Sequence, residues 1–99
     1  MTNRLAPVHP GEILSEDFLK PKHISAYAVA FGIGVPRTRI ERLVRQETAM
    51  TADTALRLGR FFGVSPAFSM NIQTQYDLEL AEDKAASEIA AITPHHHDA

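Results

Sequence analysis

The chain contains no cysteine. Disulfide frameworks and thiolate metal sites are therefore excluded, and the composition suits a reducing compartment, so a cytoplasmic location is expected. No apolar run approaches the ~18 residues a membrane span needs, and the first residues lack the basic-then-apolar layout of a signal peptide. Catalytic signatures are missing as well. There is no glycine-rich phosphate loop and no nucleophile elbow. Glu16 and Asp17 are neighbours on a helix, so their carboxylates diverge. His95, His96 and His97 follow Pro94 at the C-terminus with no second group of ligands, which reads as a disordered tail rather than a metal site. His9 reads as a capping or surface residue. No enzyme activity, catalytic residue, metal or cofactor is expected.

What is present is a single globular domain's worth of apolar residues, 44% of 99. The net charge of -2 disguises an uneven distribution. Arg37, Arg39, Arg42 and Arg45 stand against one acid, Glu41. Further on, Asp77, Glu79, Glu82, Asp83 and Glu88 stand against Lys84 alone. A basic stretch and an acidic one average to near neutrality.

Local signals divide the chain into five helices, with no period-2 alternation that suggests a strand. Residues 1–8 form an expected flexible arm. Pro10, Gly11 and Glu12 open a first helix whose stripe is Ile13, Leu14 and Phe18; Pro21 is expected to stop it at Lys20 or just before. Ser25 is a suitable N-cap for a second helix with Val29, Ala30 and Ile33 inward, closed by Gly34. Pro36 is placed as the first residue of a third helix reaching about Arg45, with Ile40, Leu43 and Val44 on its apolar face. Thr51 caps a fourth helix whose buried stripe is Ala55, Leu58, Gly59 and Phe62, and Gly63 ends it. Ser65 and Pro66 open the last segment, which runs without a breaker to Ile92 as one helix or two. Leu78, Ala85 and Ile92 repeat there at heptad spacing, either as core or as a dimer seam.

The second and third helices together meet the demands of a helix-turn-helix. Ala30 is small where the helices cross, Gly34 tolerates positive φ in the turn, and Ile40 anchors the second helix. Val29, Ile33, Val35 and Leu43 seal the contact. Opposite the buried face of the third helix lie Thr38, Arg42 and Arg45, flanked by Arg37 and Arg39. Such a helix suits the major groove of duplex DNA, where arginine bonds guanine bidentately. Ser25 and Tyr27, at the start of the second helix, suit phosphate contact. The candidate DNA-contact set is Ser25, Tyr27, Pro36, Arg37, Thr38, Arg39, Arg42 and Arg45. Two copies on one face of the duplex multiply specificity, so a homodimer is expected, joined mainly by the segment after Ser65.

The runs His9-Pro10-Gly11-Glu12-Ile13-Leu14, Ser25-Ala26-Tyr27, Gly34-Val35-Pro36-Arg37-Thr38-Arg39-Ile40 and Thr51-Ala52-Asp53-Thr54-Ala55-Leu56-Arg57-Leu58 resemble the HigA/VapI-type antitoxins of the Xre/Cro repressor-like helix-turn-helix group. The resemblance covers roughly residues 9 to 80. It implies an all-α, five-helix lambda repressor-like fold acting as a homodimer on operator DNA. It also implies the antitoxin of a HigBA-type toxin–antitoxin module that autoregulates its operon and neutralises a RelE-like ribonuclease toxin. Residues 9–80 are then the DNA-binding domain, 81–92 a helical extension and 93–99 a disordered tail. A stand-alone transcriptional regulator and a helical protein-interaction module are the competing readings.

Departures from the family pattern fall at four places. Phe31, expected to be half exposed, and Gly32 replace more polar or helix-favouring residues. Gln46-Glu47-Thr48 replaces a turn of Asn-Gly-Lys type, removing a glycine and a base. Ser69 stands where tryptophan is common, which is expected to leave the surrounding core less filled.

Overall fold

The computed structural model describes residues 6–95. The expected arm is therefore described only from Ala6, and His96 and His97 of the tail lie outside the described residues. Five helices form the fold, and no strand occurs among the described residues.

The first helix, α1 (residues 10–22), starts where His9 turns its ring back on the chain: Nδ1 accepts the Gly11 N–H at 2.8 Å. It then does something its sequence does not announce. Leu14–Leu19 widens into a π-helix, with the Lys20 N–H reaching the Ser15 carbonyl five residues back. Pro21 was expected to end the helix at Lys20, yet the helix runs on through Lys22. The wider turn explains this, since it relieves the clash a proline ring makes with the preceding turn of a regular α-helix. His23, at φ 54°, finally stops it.

Helix α2 (Ala26–Ile33) begins on Ser25, whose Oγ accepts the Ala28 N–H at 3.0 Å. Gly34, at φ 75°, ends it and lets the Val35 N–H return to the Ala30 carbonyl at 3.0 Å. A side chain at this position would strain the turn, so glycine is required here. Helix α3 (Arg37–Val44) follows. Pro36 is its N-cap rather than its first residue: ψ of 143° leaves it extended, just outside the helix, and no side chain caps this start.

Helix α4 (Ala52–Phe62) is capped by Thr51, whose Oγ1 accepts the Thr54 N–H, and closed by Gly63 in the left-handed conformation. Helix α5 (Pro66–Ala90) opens on Ser65 and is kinked at Ala85, where φ and ψ leave the helical range and divide it into two successive stretches.

The core is Leu14, Leu19, Val29, Ala30, Ile33, Ile40, Leu43, Met50, Ala55 and Leu58, with Phe18 and Phe62 packed ring to ring at its edge. Helix α3 is held between α2 and α1, and α4 joins α2 to α5. A void of about 20 Å³ lies beside Ser69, bordered by Phe18, Leu58, Phe62 and Phe68, which fits the small residue at that place. The molecule measures 54 × 30 × 21 Å, and the outer half of α5 leaves the core and is almost wholly exposed. No described helix is long and apolar enough to cross a membrane.

Candidate nucleic-acid interface

The orientation of α3 is fixed from both sides. Ile40 and Leu43 are fully buried between α2 and α1. Against them comes the backbone of α1 itself. A Cβ at Gly11 would lie 1.8 Å from the Leu43 carbonyl oxygen, so only glycine allows the two helices to approach this closely. With one face locked in this way, the other is turned outward by helical geometry.

That outward face is the one the sequence suggests. Arg37, Thr38, Arg39, Arg42 and Arg45 are all exposed. Thr38, Arg39 and Arg42 line an open cleft whose far wall is Thr48, Ala49 and Thr51 of the α3–α4 connection. Ser25 is exposed at the start of α2 with its hydroxyl engaged in capping. Tyr27 is exposed too, and the Arg37 guanidinium lies 6.0 Å from its ring centroid, within cation–π range. These two residues and α3 thus share one side of the molecule around Tyr27 and Arg37.

The arginines differ in how they are held. Arg37 pairs with Glu41 at 3.2 Å and Arg45 with Glu47 at 3.0 Å. Arg39 bonds Asp53 at 2.6 Å, and the same carboxylate oxygen accepts from Arg57 Nε at 3.0 Å. Arg57 then donates through Nη1 to the Ile33 carbonyl at 2.7 Å. One acid and one base of α4 therefore tie the last carbonyl of α2 to the first turn of α3. The Arg39 guanidinium, with Arg57 as the second contributor, holds the Asp53 carboxyl below its ordinary value. Arg42 makes no ion pair among the described residues and is available to an external anion.

The connection after α3 is reinforced from beneath. Gln46, at φ 63°, takes the left-handed conformation, the Gln46 N–H returns to Leu43 and the Glu47 N–H to Arg42. The Met50 N–H donates to Oε1 of the buried Gln73 at 2.7 Å, and Gln73 Nε2 donates to Asp77. His9 is buried, bonded to the Thr48 backbone and set edge-on to Tyr76 at 4.8 Å. Helices α1 and α5 thus hold the loop that forms the far wall of the cleft.

Sequence reasoning missed Asp53, Arg57, Gln73 and the close approach at Gly11. The i, i+4 spacing of Asp53 and Arg57 was a usable signal. The Arg39–Asp53 bond and the Gln73–Met50 bond join residues too distant in the chain to be read. Among the described residues, no group of three or more His, Asp or Glu gathers to hold a metal ion.

Known proteins are similar to this chain in sequence and fold. Virulence-associated protein I of Dichelobacter nodosus is 47% identical over 86% of this chain and 79% of its own length. The chain belongs to the HigA/VapI family of antitoxins. A second relative, antitoxin HigA-1 of Vibrio cholerae serotype O1, is 33% identical over 89% of this chain and 83% of its own length. The solved structure of Pseudomonas aeruginosa antitoxin HigA with the higBA promoter matches with a TM-score of 0.87 at 38% identity, covering 91% of this chain and 99% of that one. No family model matches the chain. The HigA-type fold is therefore common to this chain and to a relative solved on promoter DNA.

Proposed function

We infer that the chain is a transcriptional repressor of the HigA type that binds operator DNA as a homodimer, with α3 in the major groove. Its carrying observation is the outward arginine face of α3, fixed by burial of Ile40 and Leu43 behind it. Arg42 and Thr38 meet base edges, while Ser25, Tyr27, Pro36, Arg37, Arg39 and Arg45 meet the phosphate backbone around them. The Arg39–Asp53 bond is exposed, so exchanging the carboxylate for a phosphate costs little. A relative 38% identical that is solved with promoter DNA supports DNA as the ligand.

The chain is further proposed to be the antitoxin of a two-gene module in the cytoplasm, restraining a RelE-like ribonuclease and repressing the operon that encodes both. Membership of the antitoxin family supports this reading.

A mobility shift with the DNA upstream of its own gene tests the first statement. Binding is expected to weaken steeply with salt, because displaced counterions supply most of the affinity. Arg42→Ala is expected to lower affinity about tenfold or more, corresponding to ~1–3 kcal/mol for an arginine–base contact, with the unfolding midpoint unchanged. An Arg42→Ala protein that binds as tightly as the parent removes α3 as the reading element.

A further inference from the structure

Of the acids around α3, one is placed unlike the others. Glu41 pairs with Arg37 four residues before it, and Glu47 with Arg45 two residues before it. Such pairs move with their own stretch of backbone. Asp53 comes from the next helix, fourteen residues from Arg39, and lines the cleft together with Thr38, Arg39 and Arg42. Among the described residues it is the one acid that lines this cleft.

A negative charge here opposes every duplex that enters, because phosphates of any sequence meet it. What it offers in return is geometric. Oδ2 of Asp53 accepts from Arg57 Nε at 3.0 Å, and Arg57 is anchored through Nη1 to the Ile33 carbonyl at 2.7 Å. The same Oδ2 accepts from Arg39 Nη1 at 2.6 Å. The Arg39 guanidinium is thus aimed from outside its own helix, and part of its rotamer freedom is already lost before DNA arrives. Arg39 reaches Asp53 through Nη1 alone, so Nε and Nη2 keep their hydrogens for DNA while the tie holds.

Two kinds of contact follow. Any duplex can exchange a phosphate for the exposed carboxylate at Nη1. A duplex whose phosphate lies where Nε and Nη2 already point engages Arg39 without undoing the tie. Phosphate placement fixes register and varies with groove shape, and therefore with sequence. We propose that Asp53 is a positioning residue for Arg39 that sets the preference of the cleft for operator over other DNA. Its charge weakens contact with all duplexes, and its hold on Arg39 restores contact with the operator. This rests on the DNA-binding reading of α3 and assigns part of the discrimination to α4, outside the reading helix.

Fluorescence anisotropy with two duplexes of equal length and base composition tests the proposal. One is taken from the DNA upstream of the gene, and the other is its shuffled sequence. Asp53→Asn is expected to bind the shuffled duplex more tightly and the upstream duplex no more tightly. The ratio of the two affinities then falls about fivefold, the scale that an exposed ion pair supports. Arg39→Lys keeps the charge but lacks the planar fork, and is expected to lower the ratio with little change toward the shuffled duplex. In an Arg39→Ala background, Asp53→Asn is expected to leave the ratio unchanged. Thermal unfolding followed by circular dichroism accompanies each variant. Equal tightening on both duplexes assigns Asp53 to charge alone and overturns the positioning. Equal weakening on both, with a lower unfolding midpoint, assigns it to support of the fold and overturns the positioning too. So does a fall in the ratio that persists without Arg39. An unchanged ratio in Arg39→Lys overturns the proposal even where Asp53→Asn fails to fold. A parent that binds the two duplexes equally, or neither, overturns the operator reading itself, which the variant outcomes leave standing.

Discussion

The α2–α3 pair and the outer half of α5 are both helical, yet they are held in contrasting ways. Around α2 and α3 nearly every restraint is tertiary: Val29, Ala30, Ile40 and Leu43 are sealed from solvent, Arg57 bonds the end of α2, and the Gly11 backbone presses on Leu43. Beyond residue 80, α5 leaves the core and its side chains face water. Helix propensity alone gives little stability to an isolated helix, so this outer arm of α5 is less firmly held than the reading unit. The chain thus places its rigidity where DNA geometry is set and leaves its adaptable surface elsewhere. The sharpest way to break this contrast is Gly11→Ala. The added Cβ meets backbone atoms that cannot yield locally, so α1 must move away from α3. Destabilisation of about 3 kcal/mol is expected in urea unfolding. Ile89→Ser on the arm, measured in dilute monomeric protein, is expected to cost less than ~0.5 kcal/mol. Equal costs at the two positions would erase the distinction.

Arg57→Ala probes the same contrast at the turn. It removes the donor to the Ile33 carbonyl and one of the two partners of Asp53, loosening α4 from both helices of the reading unit. About 1 kcal/mol of stability is expected to be lost. Operator affinity is expected to fall as well, because Arg39 of the outward set loses the residue that helps hold its Asp53 partner. Arg57→Lys restores the charge but not the two-ended reach, and is expected to recover only part of either loss.

The boundaries of these elements were legible because their causes are local. Ser25, Thr51 and Ser65 each accept a backbone N–H within three residues, and Gly34 and Gly63 each stop a helix by their own φ. The outward set on α3 was legible for the same reason, since eight residues of known period fix which side is buried. Pro21 was misread because the π turn that accommodates it is a change of hydrogen-bond register, which proline itself does not specify. Pro36 was misplaced by one residue, from helix to cap. What joins distant residues stayed hidden: Arg39 with Asp53, Gln73 with Met50, and His9 with Thr48 and Tyr76. Each needs the fold before its partner is known.

A smaller effect of opposite sign is expected at Gln46. Its left-handed backbone closes α3 without glycine, the very residue that the family turn supplies. Gln46→Gly relieves a strain of ~1–2 kcal/mol but adds freedom to the unfolded chain, leaving a net gain of about 0.5–1 kcal/mol. Calorimetry that shows no rise in Tm would mean that the glutamine is already accommodated at no cost.

The smallest effect is a dependence on pH carried by His9. Burial pushes its imidazole below the ordinary 6.5, and the Thr48 backbone bond, Asp77 and Glu12 raise it without reversing the shift. The unfolded chain therefore binds this proton more readily than the folded one. Stability from the neutral ring is complete above about pH 6.5 and is lost as pH falls through and below that value. Urea midpoints are expected to decline between roughly pH 8 and pH 5.5, a range in which histidine is the main titrating side chain. His9→Asn keeps an oxygen at the helix start to accept the Gly11 N–H and removes the titration, so its profile is expected to be flatter at a lower absolute stability. An unchanged slope in His9→Asn would assign the dependence to another group. The reading unit would then owe its loop position to Gln73 and packing, with the ring at the start of α1 contributing no proton linkage.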